Sequence, residues 1–231
     1  MKEKVLLFDL DGTLIDSTQA ILESFINASL FFGYNFKGRE EEIARLIGHP
    51  LREMFIQMGL PKEQIEECVK LYRSNYERIY LEKTVLLPKV KDSFKNLPSS
   101  YLLGVVTSKS SFFSKKILEN LGMLDYFFVV VGIDDVKEPK PSAEPILRAL
   151  EGIEYDKSRV YMIGDTFFDM QAARNADVVG IGVQGKYDKN LKEYTDFVFE
   201  DMQQALDYIK CKSPNTFGTF LSPCISSKNG S

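Results

Sequence analysis

The chain has 231 residues, 44% hydrophobic and 27% charged, the balance of a soluble protein with ample core material for one large α/β unit. Its net charge of −4 gives no global field for nucleic acid or an anionic membrane, and no stretch approaches the roughly 18 apolar residues of a membrane span. Three scattered cysteines (Cys68, Cys211 and Cys224) lack metal spacing, no secretion-signal pattern opens the chain, and a cytoplasmic location is expected; the single His49 excludes chemistry that needs two histidines.

The run from Val5 to Phe8 is uncharged and too short to form a helix alone, so it reads as a buried strand. It leads into Asp9-Leu10-Asp11-Gly12-Thr13, and the alternation of an extended chain puts Asp9 and Asp11 on one side with Leu10 facing away. Two like charges at the mouth of an apolar strand need a cation or a shared proton, and a metal site is the simplest relief. Asp16 or Ser17 then caps a helix to about Phe32, with Ile21, Leu22, Phe25, Ile26 and Leu30 on its apolar face and Gly33 as its stop. From Arg39 to about Tyr80 the pattern stays helical, broken at Gly48-His49-Pro50 and Gly59-Leu60-Pro61, and no strand is expected there.

Beyond Pro88 the rhythm changes. Helices are predicted over 90–97, 112–121, 144–150, 168–175 and 202–209, and strands over 102–106, 127–131, 160–163, 178–183 and 196–199. Apolar strands separated by amphipathic helices indicate a doubly wound parallel α/β sheet, covered on both faces. The first crossover is anomalous: about a dozen residues suffice for such a connection, yet roughly seventy lie between the first strand and the next. The excess reads as a helical domain over 16–85 inserted into an α/β core of 1–15 and 86–211, followed by a flexible tail over 212–231 rich in Ser, Pro, Gly and Asn.

Ligands of an open parallel sheet bind beyond the carboxyl ends of its strands. The first strand brings Asp9 and Asp11 to that edge. The second ends in Thr107-Ser108-Lys109 where a helix begins, and a hydroxyl with free backbone amides suits a phosphate. After the third comes Lys140, held between Pro139 and Pro141, and the fourth ends in Gly164-Asp165-Thr166-Phe167-Phe168-Asp169. Singly, these residues read as helix caps and a surface lysine. Together, at successive strand ends, they read as a site for a metal and a phosphate.

With these motifs the chain resembles the haloacid dehalogenase superfamily of phosphatases, from Val5 to about Lys210. The resemblance implies a Rossmann-like core with a helical cap inserted after the first motif. It implies a phosphoric monoester hydrolase in which Asp9 attacks phosphorus to form an aspartyl phosphate, while Asp11 protonates the leaving oxygen and then activates water. Having Asp11 separates the chain from true dehalogenases. Mg2+ is the implied cofactor, bound by Asp9, Asp165 and the backbone carbonyl of Asp11, with Asp169 as a ligand through water or an orienter of Lys140. Leu10, Thr107, Ser108 and Lys140 are the implied phosphate-binding residues.

The segment Leu46-Ile47-Gly48-His49-Pro50-Leu51-Arg52 is similar to one in phosphoglycolate phosphatases and related pyrophosphatases. It makes Gly48, His49 and Arg52, with Asp16, candidates for substrate specificity, Arg52 meeting a second anionic group; the plain reading is a helix–helix turn capped by His49. The expected substrate is a small phosphorylated metabolite, phosphoglycolate first, then pyrophosphate, then a sugar phosphate as in a phosphosugar phosphatase or β-phosphoglucomutase-like enzyme. The enzyme is expected as a monomer or homodimer with no nucleic acid or membrane partner. A two-component receiver domain uses similar acids but on different strands and without inserted helices, and a silent binding protein would lack one of the key acids or Lys140. Lid hinges are expected at Ile15-Asp16-Ser17 and near Leu86-Leu87-Pro88.

Overall fold

The computed structural model describes residues 4–185 and 190–212. Val5, Leu6, Leu7 and Phe8 have almost no solvent exposure, which a strand attains only with neighbours on both edges and helices on both faces. In chain order the elements are β1 (Val5–Phe8), β2 (Ile15–Asp16), α1 (Thr18–Phe31), α2 (Glu40–Ala44), α3 (Leu51–Gln57), α4 (Lys62–Glu77), β3 (Val85–Leu86), α5 (Val90–Lys95) and β4 (Leu102–Val106). They continue with α6 (Ser111–Asn120), β5 (Val129–Val131), α7 (Glu144–Ala149), β6 (Val160–Gly164), α8 (Phe167–Asn175), β7 (Val179–Val183), β8 (Val198–Phe199) and α9 (Met202–Cys211).

Six strands form one parallel sheet in the order β5-β4-β1-β6-β7-β8. The chain winds outward from β1 on one side, then returns and winds outward on the other. The reversal lies between β1 and β6, the position where open α/β sheets hold their ligands. Phe8 is level with Val105 and with Ile163, so the residues that follow these strands leave the sheet together.

Alternation along β1 divides the core. Leu6 and Phe8 pack with Val90 and Phe94 of α5, Ile117 of α6 and Leu206 of α9. Val5 and Leu7 pack on the other face with Ile146 of α7 and Ala172 and Ala173 of α8. Full burial of a ring such as Phe8 contributes roughly 1.5–3 kcal/mol, and it meets Phe94 at 5.1 Å between centroids.

Between β2 and β3 the chain builds the four helices α1 to α4. Phe25 of α1 stacks on Phe55 of α3 at 4.2 Å, and Ile65, Cys68, Val69 and Tyr72 form the buried stripe of α4. The expected breaks at Gly48-His49-Pro50 and Gly59-Leu60-Pro61 are where α2, α3 and α4 separate. The ends of this excursion are joined by an antiparallel ribbon in which Ile15 faces Leu86 and Asp16 faces Val85. Both expected hinge segments fall at this ribbon, whose strands of two residues have no periodicity to detect in sequence. No helix of the described residues is long and apolar enough to cross a membrane. The expected mobile tail and Cys224 lie, from residue 213 onward, outside the described residues.

Candidate active site

Asp9 is the first residue beyond β1, is 3% exposed, and is held by its amide to the Ile163 carbonyl at 2.8 Å. Lys140, equally buried, directs its ammonium to Asp9 Oδ1 at 2.8 Å, to Asp169 Oδ1 at 2.6 Å and to the Val106 carbonyl at 3.2 Å, which uses its three donors. Asp169 Oδ2 accepts from the amide (3.0 Å) and hydroxyl (2.6 Å) of Thr166, a capping box that starts α8 and leaves the other oxygen to Lys140. Asp165 Oδ1 accepts from the Thr13 hydroxyl at 2.9 Å. Breaking a buried charge pair of this kind by removing one partner costs roughly 3–5 kcal/mol.

Asp9, Asp165 and Asp169 each offer an oxygen within 4.8 Å of the others, all three are buried, and Lys140 is the cation among them. Burial, opposed by Lys140 and reinforced by Asp169, pushes the Asp9 carboxyl up to about 7. Burial, then the charges of Asp9 and Asp169, hold Asp165 well above its ordinary value. Burial works against the Lys140 ammonium, yet Asp169 and Asp9 overcome it and raise its pKa. Three acids against one ammonium leave an excess of negative charge among hard oxygen donors, which fits a divalent cation such as Mg2+.

Asp11 stands apart from this cluster. The strand ends at Phe8, and the Leu10 carbonyl accepts from the amides of Thr13 (3.3 Å), Leu14 (2.9 Å) and Ile15 (3.0 Å), so the chain turns just after Asp9 while Asp9 and Asp11 still line one cavity. One Asp11 oxygen accepts from the Ser17 hydroxyl, and the other pairs with Lys109 Nζ at 3.2 Å. The turn requires Gly12: its φ is +83°, and a Cβ there would lie 2.2 Å from Asp165 Oδ2. Gly12→Ala is therefore expected to cost about 2 kcal/mol or more and to displace Asp165. A lowered urea midpoint together with slower phosphate release checks this.

Thr107 and Ser108 follow β4 at the same edge. The Thr107 amide is held by Val131 at 3.0 Å, and its hydroxyl accepts from the Lys109 amide at 3.2 Å. Ser108 Oγ is buried and has no hydrogen-bond partner among the described residues. A small cavity of about 150 Å³ is lined by Asp9, Asp11, Thr107, Ser108 and Lys109 from the core and by Arg52, Arg73 and Tyr76 from the inserted helices. A larger one of about 550 Å³ runs beside Asp11, Asp16, Arg45, His49, Asp165 and Phe168.

The residues singled out in the insertion have structural duties. Gly48 has a φ of +107°, and a Cβ there would meet Thr166 Cγ2 at 2.9 Å, so this turn packs closely on Thr166, the residue after Asp165. His49 lies edge-on to Phe168 at 4.5 Å, has its Nδ1 3.2 Å from Gln57 Nε2, and burial lowers its pKa. Arg52 borders the small cavity but pairs with Glu66 of α4. Asp16 Oδ1 accepts from the Thr18 amide at 2.9 Å at the start of α1. Sequence reasoning missed Thr13, Ser17 as a partner of Asp11, Lys109 and Tyr76. Lys109 stood beside the recognised Thr107-Ser108 pair, and that adjacency was the available signal.

The sequence model of the haloacid dehalogenase-like hydrolases matches residues 6–183. The chain belongs to this family. Among similar proteins, the pyrophosphatase PpaX of Bacillus velezensis is 34% identical over 206 residues, 87% of this chain and 94% of the relative. The phosphoglycolate phosphatase of Psychrobacter arcticus is 29% identical over 224 residues, 90% of this chain and 96% of that protein. A haloacid dehalogenase-like hydrolase of Streptococcus pneumoniae superposes with a TM-score of 0.78 at 29% identity, covering 90% of this chain and 98% of the other. The six-stranded parallel sheet with its flanking helices is thus the family's Rossmann-like α/β fold.

Proposed function

We propose that this haloacid dehalogenase-like hydrolase is a cytoplasmic, Mg2+-dependent phosphatase of small phosphorylated metabolites, with phosphoglycolate as the leading substrate. The observation that carries the reading is the buried Asp9, bonded to Lys140 and placed among Asp165 and Asp169, in one cavity with a separate carboxylate, Asp11. In this reading residues 1–15 and 86–211 are the catalytic core, and 16–85 form a cap that closes over it about the β2–β3 ribbon.

An Asp9 oxygen attacks phosphorus, a new P–O bond forms, and the bond to the leaving oxygen breaks. Asp11 gives its proton to that oxygen, then takes one from the water that splits the aspartyl phosphate and returns Asp9 as carboxylate. Lys140 offsets charge on the phosphoryl oxygens, and Thr107, Ser108 and the Leu10 backbone orient them. Asp169 holds Lys140 in place. Asp9, Asp165 and the Asp11 carbonyl would hold Mg2+, with Asp169 near it; bound there, the ion supplies positive charge against the phosphate dianion and the nucleophile.

Pyrophosphate is the second reading, favoured by the 34% identity to the relative named pyrophosphatase PpaX. A screen of phosphate release from phosphoglycolate, pyrophosphate, sugar phosphates and nucleotides, with and without Mg2+, tests both. One of the first two is expected to reach a kcat/KM of about 10⁴ M⁻¹ s⁻¹ or more with Mg2+. Absence of Mg2+-dependent release from every compound would overturn the proposal.

A further inference from the structure

Lys109 is a buried ammonium that no step above uses. Its side chain is 9% exposed, and burying such a group costs several kcal/mol unless it is paired. Its partners are Asp11 Oδ2 at 3.2 Å and the Tyr76 hydroxyl at 3.0 Å, with the ammonium 4.7 Å from the centre of the Tyr76 ring. Asp11 comes from the core and Tyr76 from α4, so Lys109 bridges the two bodies at the cavity that contains Asp9. It also spends a carboxylate oxygen of the very residue assigned to the leaving group, while Ser17 holds the other.

We propose that Lys109 is a specificity-determining residue that binds the negative charge on the leaving group, and that Asp11 occupies this position as a stand-in when substrate is absent. The proposal rests on the phosphatase reading above and extends it. A leaving group that carries a carboxylate or a second phosphate replaces Asp11 as the partner of Lys109. The exchange leaves a buried ammonium paired throughout and frees Asp11 Oδ2 to face the leaving oxygen. A neutral leaving group offers Lys109 nothing in return, and Asp11 stays engaged. Other cations at the cavity are less suited: Arg52 is paired with Glu66, and Arg73 is exposed. Tyr76 accepts from the ammonium through its hydroxyl and so holds it at the cavity.

The test compares phosphoglycolate with 2-hydroxyethyl phosphate, which has the same ester linkage but a neutral tail, in wild-type protein and in Lys109→Met. Wild type is expected to favour phosphoglycolate by about 100-fold or more in kcat/KM, because a site built for a polar group rejects the analogue lacking it. Lys109→Met is expected to bring the ratio within about 5-fold of unity. If Lys109→Met does not fold, Lys109→Gln, which keeps a polar end, takes its place. A wild-type ratio near one, equal losses on both esters, or collapse of the ratio in Arg52→Ala or Arg73→Ala but not in the Lys109 variant overturns the inference. Wild type that releases phosphate from neither ester, nor from pyrophosphate, instead defeats the phosphatase reading itself.

Discussion

Asp9→Asn is expected to lower phosphate release by about 10⁴-fold or more and to leave the protein folded. The amide is nearly isosteric with the carboxylate but has no anionic oxygen to attack phosphorus, so the loss falls on kcat rather than on substrate binding. The fold tolerates the change because Lys140 keeps Asp169 at 2.6 Å and the Val106 carbonyl at 3.2 Å. The variant also relieves a conflict, since Asp9 is buried beside Asp169 and its carboxyl is pushed up to about 7. Steady-state release and a thermal melt measured on one preparation check both halves. Activity close to wild type would show that another group is the nucleophile.

The second large effect concerns the acid cluster and Mg2+. A carboxyl whose folded pKa lies above its unfolded value holds its proton in the native state over pH values where the unfolded chain has released it. Stability from that group is then present below the unfolded value and lost as pH rises through the folded one. For Asp9 the window runs from 3.8 to about 7, and Asp165 is raised in the same sense. Metal-free wild type is therefore expected to lose thermal stability as pH rises from about 4 to 7. Mg2+ at about 100 times its Kd is expected to restore roughly 2.7 kcal/mol, a Tm rise of roughly 5–10 °C for a chain of this size.

Asp165→Asn should reverse the pattern. With one charge fewer in the cluster, the metal-free variant is expected to melt above metal-free wild type at pH 7, to gain less than half of the Mg2+ shift, and to lose about 10³-fold in phosphate release. Thermal melts with and without Mg2+ read this directly. An equal Mg2+ shift in the two proteins would place the ion elsewhere.

Much of the candidate site was legible because its parts are local. Asp9, Thr107, Ser108 and Asp165 each sit where an apolar run stops, and in a parallel sheet those stops share one edge, with Asp169 in the first turn of the helix that follows. Lys140 was legible through the prolines that flank it. The insertion was legible from arithmetic, as a helical excess far beyond one crossover. Other features had no local signature. β2 and β3 are too short to show a period and exist only as partners. Asp9 and Asp11 were expected on one side and do line one cavity, but nothing local showed that Asp11 would pair with Lys109.

The sequence by itself determined the alternation of core strands and helices, the family, and the set of acids and hydroxyls at the strand ends, because hydrophobic periodicity and motif spacing are properties of neighbouring residues. Only the tertiary structure decided how the charges pair. Lys140 and Asp9 are 131 positions apart, Lys109 and Tyr76 are 33 apart, and Tyr76 lies on a stripe of α4 that reads as plain core. Which buried ammonium meets which carboxylate depends on how the segments after β1, β4 and β6 and the segment carrying Lys140 meet at one sheet edge, a long-range fact that no local pattern encodes.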